Sequence, residues 1–481
     1  MKVATDRLKE GARAALRDGE LRTALDRATG VFLGNRQAAV AAHPGFEALR
    51  VQAAAVKAHL LDHLDAYLER LVDALEANGV RVHFAADAAE AQEAIVAIAR
   101  AAGARTAVKA KSMVAEEIGL NEALAAAGVT PIETDLGEYI LQLGDDVPSH
   151  IVGPALHWTR ERVAALFHER LGTPLDADPA ALTAAARREL RDAFLRAELG
   201  ISGVNFACAD SGTLAIVENE GNARLATSLP RVHVALMGLE KLLPRLADLP
   251  TFLALLGRSA TGQPATSYVS LITGPRRPDD PDGPEEVHVV ILDGGRSAVL
   301  ADPELRDALR CIRCGACLNH CPVYQQIGGH AYGWVYGGPI GAILDPGLLG
   351  LERTHELPHA SSLCGACGDV CPVRIPIPDL LLAHRRRAVE RGLSPAVERL
   401  GIGAFAFAAE RPGLWRAATD AGRFAAALLE RDGRVQGGWV PVLRAWLAER
   451  DLDLSPGPSF RERWRRELQA EGRRGDDGDE A

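Results

Sequence analysis

Apolar residues recur at helical spacing through the first stretch of the chain, and only later does the pattern change to short apolar runs separated by helices. From residue 1 to about 78, Ala, Leu, Arg and Glu dominate and strand formers are few. Leu60, Leu64, Leu68, Leu71 and Leu75 follow one another at intervals of three and four, which predicts amphipathic helices. The following segment alternates. Strands are predicted at Val80–Phe84, Thr106–Ala110, Thr130–Glu133, His150–Val152, Val204–Ala207, Thr213–Glu218, Val232–Met237 and Val287–Leu292, with helices such as Ala86–Ala102 and Met113–Ala127 between the earlier ones. Such βα alternation predicts an α/β sheet with mostly parallel strands.

The polar, proline-rich stretch Gly274–Glu286 interrupts this segment and reads as an exposed loop. After Gly294 and Gly295, a short helix over Pro303–Leu309 leads into Cys311. The partition expected is a helical segment over 1–78, an α/β domain over 79–300, a cysteine-bearing domain over 301–387 and a helical C-terminal region over 388–481. That last region holds Trp415 in its helices, then a Gly/Pro-punctuated tail with Trp439, Trp446 and Trp464, and a final GRRGDDGDEA predicted to be disordered.

Composition narrows the class. A chain of 481 residues with 47% apolar content has room for two or three domains of ordinary globular character. No apolar run reaches the ~18 residues of a membrane span, which leaves only peripheral membrane association open. A formal charge of −10 disfavours a nucleic-acid partner. MKVATDRLKEGARAALRDGE reads as a polar helix and not as a signal segment, so a cytoplasmic location with reduced thiols is expected.

Seven of the eight cysteines lie between Cys311 and Cys371. Cys311, Cys314, Cys317 and Cys321, closed by Pro322, spell the C-x2-C-x2-C-x3-C-P run of bacterial ferredoxins, in which the fourth cysteine reaches across to a second cluster. The run Cys364, Cys367, Cys371 and Pro372 repeats it with one member missing, and Ser361 stands where that member would be. Crossed pairing gives Cys311, Cys314, Cys317 and Cys371 to one cluster and Cys321, Cys364 and Cys367 to the other. Two [4Fe-4S] clusters are favoured. The open corner of the second admits Ser361 or Ser362 oxygen, water, His320 or a partner's group, or else marks a [3Fe-4S] cluster. A zinc site would be overfilled by seven thiols. Two adjacent clusters also exceed what a structural staple requires, and they form a path for electrons.

Other polar groups carry weaker signals. Lys109 and Lys111 stand at a strand end, where α/β sheets place ligands, and an ammonium pair there suits an anionic substrate as well as it suits plain solvation. Glu133, Thr134 and Asp135 precede a helix, with Asp135 and Glu138 spaced as a capping box. Asp210–Thr213 reads as a turn, whereas Glu218, Asn219, Glu220, Gly221, Asn222 and Arg224 make an unusually polar strand end. HELPH at 355–359 matches a zinc motif, but Pro358 would remove the helix it needs. Cys208, alone on an apolar strand, reads as core filler. Tyr332, Trp334 and Tyr336, set among glycines between the cysteine runs, are suited to shielding a cluster or docking a partner.

Across these motifs the chain resembles the lactate utilisation protein B family, the iron–sulfur subunit of a bacterial L-lactate oxidation system. The likeness is carried by KAKSM, ETDLGEYILQL, PSHIVGPALH, DSGTLAIVENEGNARL, LPRVHVALMGLEKLLP, CIRCGACLNHCPVY, IGGHAYGWVYGGPIGAIL and SSLCGACGDVCPV, and in the tail by VPVLRAWLAERDL and PSFRERWRRE. The resemblance implies a phosphosugar-isomerase-like α/β fold and a ferredoxin-like region with two [4Fe-4S] clusters on the cysteines grouped above, SSLC being part of the family's own pattern. It also implies electron transport during oxidation of L-lactate to pyruvate, together with a cysteine-rich subunit and a second protein related to the α/β domain. The competing class is an α/β enzyme acting on a phosphorylated or acyl substrate, with the clusters as scaffold.

Overall fold

The leucine spacing of the N-terminal stretch becomes four helices, Leu8–Arg17, Gly19–Ala41, Phe46–Asp62 and Leu64–Ala77, in the computed structural model, which describes residues 3–431, 434–435 and 460–468. Asp18 caps the second of them by accepting from the Leu21 N–H. Leu60, Leu71 and Leu75 are wholly buried, and they pack beneath the central strands of a sheet against Val289, Ile291 and Met237. The described residues divide into two units, one up to Leu393 and one from Ser394.

The first unit carries ten strands: β1 (Arg81–Ala85), β2 (Thr106–Lys109), β3 (Thr130–Glu133), β4 (Leu199–Gly203), β5 (Phe206–Cys208), β6 (Thr213–Glu218), β7 (Val232–Gly238), β8 (Leu242–Leu243), β9 (Tyr268–Ile272) and β10 (Glu286–Leu292). Six form a wholly parallel sheet in the order β1-β10-β7-β4-β2-β3. The inner strands are nearly continuous apolar runs because helices cover both faces. A smaller mixed sheet, β8-β5-β6-β9, stands apart from it.

Several expectations need correction. His150–Val152 is not a strand: the segment is irregular and lies against the cysteine-bearing region, with Ile151 in the same core as Cys314 and Cys317. The strand expected at Val204–Ala207 begins two residues later. Like Thr213–Glu218, it belongs to the mixed sheet and not to the parallel one. The helix expected over Met113–Ala127 breaks into Met113–Glu117 and Leu120–Ala126 at Gly119, whose φ is 63°. The central strand β4 went unanticipated because Leu-Gly-Ile-Ser-Gly lacks a β-branched run. Gly200 serves close approach there, since a Cβ on it would lie 1.8 Å from the Ala226 carbonyl of the overlying helix Asn222–Ser228. The Gly274–Glu286 loop is largely exposed, as expected.

From Arg306 to Glu390 the chain makes short helical pieces and two longer helices, the buried Gly338–Leu349 and the closing Ile377–Glu390. Their core is continuous with Leu8, Leu25, Phe46 and Leu61 of the N-terminal helices and with Phe252 and Leu255 of helix Leu249–Ala260. The second unit consists of helices Ala396–Ala409 and Pro412–Leu429, the two-residue strands Glu430–Arg431 and Arg434–Val435, and the turns Phe460–Arg463 and Trp464–Leu468. Trp415 meets Phe405 edge-on at 5.6 Å. Trp439, Trp446 and the GRRGDDGDEA segment lie outside the described residues. Among those described, no helix is long and apolar enough to cross a membrane.

Gly200→Val is expected to lower stability by about 2–3 kcal/mol through overpacking of the β4–helix contact. A thermal midpoint unchanged from the parent chain would contradict that packing.

Candidate metal centre

The two cysteine runs fold as copies of one loop. In the first, Arg313 (φ 60°) and Gly315 (φ 73°) flank Cys314, and the short helix Ala316–Asn319 follows. In the second, Leu363 (φ 55°) and Gly365 (φ 87°) flank Cys364, and Ala366–Asp369 follows. Left-handed backbone at two non-glycine positions is unusual, and its recurrence in register marks a loop shaped to aim side chains and amides inward. The Arg313 N–H donates to Cys311 Sγ at 3.3 Å, and at the matching place the Leu363 N–H donates to Ser361 Oγ at 3.1 Å. Further along, Tyr324 and Ile375 N–H groups donate to Cys321 and Cys371 Sγ at 3.5 and 3.3 Å.

The sulfurs separate into two sets by the charges they feel. Cys314 is buried and pushed up first by burial and next by Cys371 and Cys311, while Cys317 feels Cys314, Cys311 and Cys371. Cys321 feels Cys364, and Cys367, pushed up to about 11 by burial, feels Cys321 and then Cys364. Cys371, far along the chain, thus joins Cys311, Cys314 and Cys317, with which it lines one crevice. Cys317 also feels Cys367, so the sets adjoin. Burial and mutual repulsion both oppose ionisation of Cys314, Cys317, Cys321, Cys367 and Cys371, and soft multivalent iron suits such a donor set. Cys208 sits apart on β5, fully buried and raised to about 12 by burial.

Cations surround the sulfurs. Arg50 donates to the carbonyls of Cys371 and Asp369 and Arg36 to that of Val370, capping the last turn of helix Ala366–Asp369. Arg313 reaches Glu240 at 3.0 Å, Glu240 accepts from Arg296 at 2.6 Å, and Arg296 grips Glu117 at 2.7 and 2.8 Å. Tyr336 donates to Glu117 at 2.7 Å, with the Arg313 guanidinium 4.7 Å above its ring. Burial alone would raise the Glu240 carboxyl, but Arg296, Arg313 and Lys241 hold it well below the usual range. Lys57, buried and donating to the Glu240 carbonyl, is lowered to about 7 by burial.

The α/β residues singled out in the sequence have different fates. Lys109 is fully buried between Glu116 and Glu133, each at 2.8 Å. Its charge is held against burial by those carboxylates, while burial and Glu133 push the carboxyl of Glu138, which has no hydrogen-bond partner, well up. Lys111 donates to the Val152 carbonyl at 2.6 Å. Asp135 is an N-cap, accepting from Gly137 and Glu138 N–H, but Glu138 does not complete a capping box. Lys111 and Asp135, not Lys109 or Glu133, line a cavity of about 270 Å³ beyond the carboxyl ends of the parallel strands. Glu218, Asn219, Glu220 and Asn222 line it too, as do Lys241 and Arg313, which the sequence did not single out. Glu220 is raised to about 7 by burial and by Asp135.

Asp146, His157 and His330 also escaped notice. Their donors are taken: His157 meets Asp146 at 3.0 Å and Ser149 at 2.6 Å, and His330 meets the Val147 carbonyl at 2.9 Å. The cluster pins the 146–158 segment to the cysteine region. In HELPH, Leu357–His359 is a single 3-10 turn, so the zinc geometry is absent.

A LUD domain model matches residues 68–292 and a 4Fe-4S dicluster domain model matches residues 307–375. Together they define an iron–sulfur electron-transport protein built on a LUD domain. The chain is 45% identical over 475 residues to an "Uncharacterized electron transport protein YkgF" of Escherichia coli, covering 98% of each. It is 45% identical to the "Lactate utilization protein B" of Shouchella clausii, covering 95% of this chain and 96% of that one, and 47% identical to that of Geobacillus thermodenitrificans, covering 89% and 90%. The chain belongs to the lactate utilization protein B family.

Glu240→Gln leaves Arg296 and Arg313 buried beside a neutral group, and it is expected to cost about 3–5 kcal/mol in thermal unfolding of the full chain at neutral pH. Because the folded carboxyl is held below its ordinary value of 4.5, its contribution is complete above that value and is lost as the pH falls toward the depressed one. A variant as stable as the parent at pH 7 would refute the role given to this ion pair.

Proposed function

We propose that this chain carries electrons singly during the oxidation of L-lactate to pyruvate, as the iron–sulfur subunit of an assembly with a cysteine-rich protein and a second protein related to its α/β domain. The observation that carries the reading is the convergence of seven thiols from two separated runs into two adjoining sets within a family named for lactate utilisation. Cys311, Cys314, Cys317 and Cys371 would hold one [4Fe-4S] cluster, and Cys321, Cys364 and Cys367 the other. When bound, such clusters supply one-electron redox chemistry tuned by hydrogen bonds to sulfur and by burial. The chain itself holds the thiolates in place, donates amides to their sulfurs and excludes water with Tyr324 and Tyr332, both fully buried. Its arginines offset the accumulated negative charge.

For the fourth position of the second set, the reading favours Ser361. Its hydroxyl accepts from the next-but-one amide just as Cys311 Sγ does. Ser362, by contrast, is exposed. Ser361 is only partly buried and Cys364 is exposed, so the second set faces the surface, where electrons would enter from or leave to a partner.

Cys314→Ser is expected to reduce lactate-dependent electron transfer in the reconstituted assembly to background; an unchanged rate would sink the relay. Ser361→Cys should preserve two four-iron signals in electron paramagnetic resonance with a shifted potential for one, and Ser361→Ala should convert one signal toward a three-iron type. Spectra and potentials identical in both variants and the parent would exclude Ser361 as a ligand.

A further inference from the structure

We propose that the cavity beyond β2, β3, β4 and β7 binds a small monocarboxylate, its carboxylate held by Lys241 and Arg313. This deepens the function proposed above and rests on it for the choice of ligand, but the recognition chemistry stands on the cavity itself. The carboxyl ends of parallel strands are where open α/β sheets take ligands. At about 270 Å³ the space falls just below the ~300 Å³ at which pockets for larger organic ligands begin.

Two cationic side chains on its wall keep donors without an acceptor. Lys241 follows β7 and is only 8% exposed, yet among the described residues its Nζ makes no hydrogen bond or ion pair. Arg313 spends Nη2 on Glu240 and leaves Nε and Nη1 buried without a partner. Buried ionised donors are costly unless an anion meets them. Three carboxylates, Asp135, Glu218 and Glu220, share the cavity with Lys111, Lys241 and Arg313. Glu218 is already committed to the N–H groups of Ala223 and Arg224, and Glu220 to that of Leu136. With formal charges nearly balanced, a singly charged ligand fits better than a doubly charged phosphate.

The placement bears on electron flow. Arg313 directly precedes Cys314, and it lines both this cavity and the crevice formed with Cys311, Cys317 and Cys371. A carboxylate on Arg313 would therefore sit beside the first sulfur set, joined to it by one side chain.

Calorimetric titration of the full, anaerobically purified chain with L-lactate, with its uncharged analogue lactamide and with inorganic phosphate tests the assignment. L-Lactate is expected to bind, lactamide to bind about tenfold or more weakly, and Lys241→Met to weaken L-lactate by a similar factor while the cluster absorbance is retained. The assignment is overturned if no carboxylate binds, if lactamide matches L-lactate, if phosphate binds more tightly, or if Lys241→Met binds L-lactate like the parent chain. Should that variant fail to fold, the three ligands on the parent chain still decide. Electron transfer without carboxylate binding would defeat this assignment alone, and binding with redox-silent sulfur sites would defeat the relay alone.

Discussion

A buried line of charge, Glu117–Arg296–Glu240–Arg313, holds the sheet and the cysteine loops in one arrangement. Arg296 and Glu240 are each 1% exposed, so neither can be left without its partner except at several kcal/mol. Glu117 comes from the short helix after β2, Glu240 from the turn after β7 and Arg296 from the start of the helix Arg296–Ala301 after β10, whereas Arg313 belongs to the first cysteine loop. Directional ion pairs across that boundary fix the register of one region on the other in a way that the apolar contacts alone would not. Tyr336 adds its hydroxyl to Glu117 and its ring face to Arg313, which draws the glycine-rich segment between the cysteine runs into the same lock.

Everything near the sulfurs is arranged around that registration. The 149–152 segment lies so close to the cysteine region that a Cβ on Gly329 would meet the Ser149 carbonyl at 1.8 Å, and one on Gly315 would touch His150 and Val152 at 3.2 and 3.3 Å. Helices from the N-terminal stretch bring Arg36 and Arg50 to the carbonyls of Val370 and Cys371 and Lys57 to that of Glu240. The result is a sulfur site with low water access and a surplus of nearby positive charge, conditions that favour retention of an anionic cluster and set its potential. The second set, nearer the surface, has the exposure that exchange with another protein requires.

The two loops also explain why one member of the repeat can be oxygen. Their backbones match residue for residue through left-handed positions that only tight loops impose, so Ser361 is oriented as Cys311 is whatever atom it carries. With Ser361 as the proposed ligand, a hydroxyl, poorer for iron than a thiolate, would leave that corner more labile, at the set with the exposed cysteine.

Much of this was legible along the chain. Cysteine spacing is what led to the proposed pairing, because ligand geometry around a small inorganic core constrains neighbours within a few residues. Apolar periodicity found the N-terminal helices and five of the six parallel strands, since those patterns follow directly from which face is covered. It missed β4, whose glycines answer to a helix packed from elsewhere, and it misread His150–Val152, whose environment is the cysteine region more than 150 residues away. Lys109 and Lys111 look alike in sequence, yet one is sealed among carboxylates and the other borders a cavity. Lys241 and Arg313 gave no signal at all. Local spacing determines what a loop can ligate; which cations lack a partner, and beside which sulfur they stand, is decided only when distant segments pack and exclude water.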